Sequence, residues 1–207
     1  MDDIDARVLW WLEAGDDTAE DLVDLPWSVR EIRPNTYVAE HPRMPFSFLV
    51  VFSEGFVHLL VPLGLETFSM PNEDKLKIYH TLLRLNDQVN MMKFTLSEMN
   101  DDVYLRVDLD KKTLGKDEFN DALTSLLMGL LASVSALGLE EAFAREIFDR
   151  IVGMVVDRME KGASREELMR FLTVKVGMVA EDAKNLLDEV FAAKRSLESR
   201  DGDVGYF

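Results

Sequence analysis

Apolar positions recur with a helical period from Leu76 to Val89, with period two from Val103 to Leu109, and with a helical period again from Phe119 to Leu137. Pro71 and Asn72 open the first of these helices. Glu73 and Asp74 set negative charge in its first turn, where the helix dipole favours it. Leu76, Ile78, Tyr79, Leu82, Leu83, Leu85 and Val89 fall on one half of the helical wheel, and Lys77, His80, Arg84, Asp87 and Gln88 on the other, which predicts a one-faced surface helix. Asn86 interrupts the apolar arc and reads as a residue that bonds to backbone near the helix end. Met91–Leu96 and Val103–Leu109 predict a hairpin around Glu98–Asp102, a turn without Gly in which Asn and Asp tolerate left-handed backbone.

The next helix, Lys116–Leu137, carries a stripe of Phe119, Leu123, Leu126, Leu130, Val134 and Leu137, and Leu127, Met128 and Leu131 widen it past half the circumference. Ser125, Gly129, Ala132 and Ala136 form a third, small-residue face on which another backbone could pack. The helix reads as too short and too polar at its start to span a bilayer, and as buried on several sides. Leu127, Met128 and Leu131 are therefore candidate interface residues, to be covered by the C-terminal helices or a second subunit.

Residues 2–14 predict a helix with Ile4, Val8, Trp11 and Leu12 on one face, which Gly15 can end. Four candidate strands follow: Trp27–Ile32, Thr36–Glu40, Phe46–Ser53 and Phe56–Pro62. The nearly continuous apolar run Phe46–Phe52 predicts a strand in the middle of a sheet. Ser53-Glu54-Gly55 predicts a hairpin loop, and Leu63–Met70 a connector. The order is thus helix, three or four antiparallel strands, helix, hairpin, helix. It is an α+β arrangement, α-β-β-β-α-β-β-α in its shorter form, with helices packed on an antiparallel sheet. After Gly138 the chain reads as an all-helical extension: a helix through Phe143, Ile147, Ile151 and Met154, a capping box at Ser164–Glu167, and a last helix from about Ala180. The expected organisation is an α+β domain over 1–138, a helical subdomain over 139–197 and a polar tail over 198–207.

Leu82-Leu83-Arg84-Leu85-Asn86, Lys93-Phe94-Thr95-Leu96, Asp102 through Leu109, and Glu118-Phe119 through Leu127 together resemble the type III secretion chaperone-like fold. Within it they resemble the YbjN group of bacterial sensory-transduction regulators. That group closes its central helix with a Leu-Asn pair, follows it with a short hairpin and then a Leu-rich helix. The resemblance covers roughly residues 1–138, and it implies a protein that binds segments of other proteins.

Charge and residue inventory narrow the chemistry. The chain of 207 residues carries a net charge of −16, which argues against nucleic acid and anionic membrane as partners and favours basic or apolar ones. It has no cysteine, which removes disulfides, thiol nucleophiles and zinc–thiolate sites. His41, His58 and His80 fall in a loop, a strand and the polar side of a helix, without metal-ligand spacing. No Gly-x-Ser-x-Gly elbow or Gly-rich phosphate loop occurs. Asp101, Asp102, Asp108 and Asp110 lack the spacing and Gly of a calcium loop and read as solvated turn and strand ends. The helices flanking Gly177 suggest a helix-turn-helix, but the second presents Glu181, Asp182, Asp188 and Glu189, the wrong sign for phosphate. No cofactor or metal is expected.

The N-terminus, Met1-Asp2-Asp3-Ile4-Asp5, is the reverse of a signal peptide, so the expected location is cytoplasmic. The expected function is a non-enzymatic, chaperone-like or regulatory adaptor, a homodimer that holds partner protein segments. The alternatives are a small-ligand sensor or enzyme with a pocket between the sheet and the C-terminal helices, and a structural oligomerisation module.

Overall fold

The computed structural model describes residues 3–97 and 99–201, with side chains through residue 193. The chain divides into two units, Met1–Phe143 and Ala144–Phe207. The first contains α1 (Asp3–Glu13), a 3-10 turn (Leu22–Asp24), β1 (Ser28–Arg33), β2 (Thr36–Glu40), β3 (Phe48–Phe52), β4 (Phe56–Glu66), α2 (Asn72–Gln88), β5 (Lys93–Ser97), β6 (Asp102–Asp110) and α3 (Lys116–Leu137). All four candidate strands before α2 form, one more than in the shorter order. The six strands make one antiparallel sheet in the order β1-β2-β3-β4-β6-β5, so β1 and β5 are its edges.

One sheet face is the core. Phe48, Val50 and Phe52 on β3 are buried, as are Val57, Leu59 and Val61 on β4 and Val103, Leu105, Val107 and Leu109 on β6. They meet Val8, Trp11 and Leu12 of α1 and the stripe Phe119, Leu123, Leu126 and Leu130 of α3. The stripe is therefore the core face of α3, as its period predicted. Gly129 of the small-residue face is buried too; a Cβ there would lie 2.8 Å from Leu105 Cδ2 and 3.0 Å from Met92 Sδ. By length and composition α3 is apolar enough to cross a membrane, unlike the sequence reading of it as too short, but its stripe is taken up by the sheet.

β3 lies in the middle of the sheet, as its apolar run predicts, and the second sheet face is only partly covered. β3 is an interior strand, yet Leu49 and Val51 are only half-buried, alternating with the fully buried Phe48, Val50 and Phe52. A run of apolar residues leaves the number of covered faces open, because it satisfies both cases equally. β4 also runs on to Glu66, into the stretch expected to be a connector. Its register against β6 shifts between Pro62 and Glu66, and Gly64 takes φ +63 in that irregularity. The Gly-less turn before β6 is closed by Asp101 at φ 53.

Gly15 lies beyond the end of α1 rather than capping it. A Cβ on it would stand 2.2 Å from the Asp24 carbonyl oxygen, so the close return of the chain to the 3-10 turn requires Gly there. Asp5 of α1 and Lys111 after β6 form a buried ion pair of 2.7 Å, tying that helix to the end of β6.

The second unit contains most of α4 (Glu140–Glu160), then α5 (Arg165–Arg170), a π-helical segment (Phe171–Val176) and α6 (Ala180–Asp201). Its core is Ile151, Val155, Leu168, Phe171, Leu172, Ala183, Leu186 and Leu187. The capping box forms with both of its bonds, and Gly162 and Gly177 adopt the left-handed conformation at the ends of the preceding helical segments. α6 continues to Asp201, into the stretch expected to be a tail; residues 202–207 of that tail lie outside the described residues.

Candidate functional site

Two features of the first unit stand out, an apolar groove and a polar cluster, and both involve the edge strand β5. The groove follows from how α2 packs. Of its apolar arc, only Leu82 and Leu85 reach the core, while Leu76 is 68% exposed and Leu83 67% exposed. The helix lies at the rim of the sheet, where no strand follows β5, so the outer part of its arc overhangs empty space. Tyr79, Leu83 and Asn86 form one wall, and Phe94, Thr95 and Leu96 the other, around a cavity of about 210 Å³. Leu96 is itself largely exposed. The Tyr79 hydroxyl is fixed at one end by Thr67 Oγ1 at 2.6 Å. At the other end the Phe94 N–H donates to Asn86 Oδ1 at 2.7 Å. Asn86 does bond to backbone, as read from the sequence, but to the edge strand rather than to its own helix end.

The polar cluster sits on the second, half-open sheet face. His58 on β4 is directly opposite Asp108 on β6, and Arg106 on β6 directly opposite Lys93 on β5. Residues two apart on a strand share a face, so the two cross-strand pairs adjoin. Arg106 Nε donates to Asp108 Oδ1 at 2.7 Å, and Lys93 Nζ to Asp108 Oδ2 at 2.6 Å. His58 Nδ1 donates to Asp108 Oδ1 at 2.5 Å, and with the proton on Nδ1 its Nε2 accepts from Ser53 Oγ at 3.0 Å. Partial burial alone would push the Asp108 carboxyl up; the hydrogen bonds from Lys93, His58 and Arg106, with the Arg106 charge, outweigh it and hold the group well below the usual carboxylate range.

The order Ser53, His58, Asp108 is the order of a serine triad, but the surroundings make a latch. Ser53 Oγ is engaged in its own turn, accepting from the Phe56 N–H at 3.3 Å and lying 3.1 Å from the Phe56 carbonyl. Asp108 is shared with two permanent cations, which draws its charge away from the imidazole. The cluster thus pins the β3–β4 loop, β4, β6 and β5 to one another. Replacing Asp108 by Asn should lower stability by about 2 kcal/mol, since it weakens three charge-assisted bonds at a partly buried site. The sign of the pH dependence follows from the lowered carboxyl. Its stabilisation is complete above the unfolded value of about 4 and is lost as pH falls through the lower folded value. Acid denaturation followed by circular dichroism should show the wild type losing stability below about pH 4, with a shallower loss in Asp108→Asn.

The other histidines stand apart. His41 is buried against Trp27, its Nδ1 accepting from the Arg43 N–H at 3.3 Å; burial first, and the Arg43 charge second, push its pKa down. His80 is exposed on α2. Among the described residues no group of three or more His, Cys, Asp or Glu could hold a metal ion. Of the candidate interface residues, Leu127 is half-buried against the core, while Met128 is 58% and Leu131 47% exposed, side by side on the outer surface of α3. The sequence does not reveal the groove, because the spacing of the α2 arc puts Leu83 on one face with Leu82 and Leu85 and carries no mark of where the sheet ends.

No curated protein matches the chain. Among solved structures it is similar to a chain in the heterodimeric complex ExoU-SpcU from the type III secretion system of Pseudomonas aeruginosa. The TM-score is 0.41 and the identity 15%, over 64% of this chain and 96% of that one. Residues 138–201 match a family model, HTH_78, described as a domain of unknown function. Residues 7–137, which hold the sheet, the groove and the polar cluster, match the model of the domain of unknown function DUF8183, and the chain belongs to that family.

Proposed function

We propose that this protein is a non-enzymatic, chaperone-like adaptor that holds an apolar segment of another protein in the groove between α2 and β5. The observation that carries this reading is the groove itself: an open apolar channel, lined by exposed Leu83 and Leu96, along an edge strand of the sheet. A sheet edge with adjacent side-chain pockets is a recurrent way of holding extended peptides. The acidic charge of the chain keeps such a surface soluble in the absence of a partner. The reading accords with the resemblance to the type III secretion chaperone-like fold and the YbjN group. It places the protein in the cytoplasm, without a cofactor and without nucleic acid or membrane as partner.

The test is capture from native lysate with the wild type and with Leu83→Asp. Leu83 is exposed, so the variant should keep the wild-type melting temperature. A specific partner captured by the wild type should fall by at least about tenfold with the variant, because a carboxylate in the groove must be desolvated on binding. Equal capture by a correctly folded Leu83→Asp protein would overturn the reading.

The exposed pair Met128 and Leu131, with half-buried Leu127, serves in this proposal as a homodimer contact. The expected result for Met128→Asp, Leu131→Asp is a monomer by light scattering at concentrations where the wild type is a dimer. A wild type that is monomeric at all concentrations refutes the dimer and leaves the groove reading intact.

A further inference from the structure

β1 and β5 are the two edges of the sheet, and they carry different residues. β1 presents Arg30, Glu31 and Arg33, charged side chains of the kind that keep a sheet edge from pairing with another chain. β5 has a single charge, on Lys93, and reads Phe94-Thr95-Leu96 through its centre. An edge of that composition invites strand addition unless something else blunts it. On β5 that something is a side chain of α2. The Phe94 N–H donates to Asn86 Oδ1 at 2.7 Å, so it points away from β6. Along an antiparallel strand the N–H and C=O of one residue point to the same side, and alternate residues share that side. The backbone groups of Phe94 and Leu96 therefore lie on the outer edge. Just before the strand, the Met92 N–H donates to the Asn90 carbonyl at 2.8 Å. A strand added beside β5 would find the Phe94 donor already taken by the chain itself.

Position 86 is otherwise an unfavourable place for Asn. It lies within α2, where Asn forms helix less readily than Leu or Met, and it interrupts the apolar lining of the groove. A residue that weakens its own helix while satisfying a backbone group on a neighbouring sheet edge has the signature of a device against wrong pairing.

We propose that Asn86 guards the β5 edge: by holding the Phe94 N–H it keeps the strand from pairing with β5 of a second copy of this chain. The inference goes beyond the reading of the groove as a partner site and does not depend on it. It also means that an extended segment pairing along β5 must displace Asn86 before it reaches Phe94, which makes the bond an autoinhibitory contact on that edge.

The test measures self-association of the full chain by sedimentation equilibrium. The parent carries Met128→Asp and Leu131→Asp, so that a contact through α3 does not mask the result. Adding Asn86→Ala should raise the association constant at least about tenfold, because a two-fold pair of β5 strands gains the Phe94 bond twice and each is worth roughly fivefold. Asn86→Asp keeps an acceptor for the Phe94 N–H and should associate no more than the parent. Leu96→Pro removes a donor from the outer edge without removing a ladder bond to β6, a position that proline tolerates. Added to Asn86→Ala, it should return the mass to that of the parent. Amide exchange read by NMR in dilute samples should show Phe94 protected in the parent and exchanging fast in Asn86→Ala. A folded Asn86→Ala protein that associates no more than the parent would overturn the proposal. So would association that survives Leu96→Pro, or that Asn86→Asp shows equally. Failure of Asn86→Ala to fold would make Asn86 a structural tie of α2 rather than a guard, and fast exchange of Phe94 in the parent would remove the contact itself; either result overturns the proposal. None of these outcomes bears on capture through Leu83.

Discussion

Phe119→Ala should destabilise the first unit by about 3–5 kcal/mol, the range found when a large aromatic side chain is removed from a packed core. Phe119 has no exposed surface, and its ring centroid lies 6.0 Å from that of Trp11. It starts the stripe by which α3 packs on the sheet. The next residue, Asn120, accepts the Val23 N–H at 3.1 Å and ties the same turn of helix to the 3-10 turn. A cavity at this point loosens α1, α3 and the return of the chain at once, and the backbone bond beside it limits how far the helix can shift to fill the space. In a unit of this size the loss should appear as a fall in melting temperature of roughly 10 °C or more. A fall of only a degree or two would mean that the junction of α1 and α3 is not the anchor of the fold.

The second large effect is expected at Lys111. Lys111→Met removes the cation from a buried pair and leaves the Asp5 carboxylate without its charge partner, a change that generally costs about 3–5 kcal/mol. The ammonium also lies 5.5 Å from the Phe52 ring centroid, so its removal takes a second favourable contact with it. Much of the expected loss is the penalty of a buried carboxylate that has lost its ammonium rather than the value of the pair. The double change Lys111→Met, Asp5→Leu should therefore recover most of the stability, because it replaces the pair by apolar groups of similar size. A denaturant-unfolding cycle measures this directly. A double variant no more stable than Lys111→Met alone would mean that Asp5 is needed for something other than pairing with Lys111.

Much of this architecture can be read from local pattern. The period-two alternation from Val103 to Leu109 marks β6, and the stripe from Phe119 to Val134 marks the core face of α3. Gly138 and Gly177 mark helix ends, and Ser164–Glu167 forms the cap its sequence announces. These are statements about a side chain and its neighbours within a few positions, where spacing alone decides which face is shared. The candidate site is different in kind. The cross-strand pairs His58–Asp108 and Lys93–Arg106 exist because β4 and β5 flank β6 in one particular register, and a shift of one residue would send either partner to the opposite face. Leu49 and Val51 are half-open because, among the described residues, the apolar stripes of α1 and α3 gather on the opposite face of the sheet, which no property of β3 itself announces. Leu83 is exposed although it lies in the same apolar arc as Leu82 and Leu85, because the sheet ends at β5 and leaves the outer side of α2 overhanging. By itself the sequence determined the elements, their order and the buried stripe of α3. Tertiary structure alone decided where the sheet stops, which apolar residues remain uncovered, and which charges meet across strands, since these depend on contacts between residues far apart in the chain.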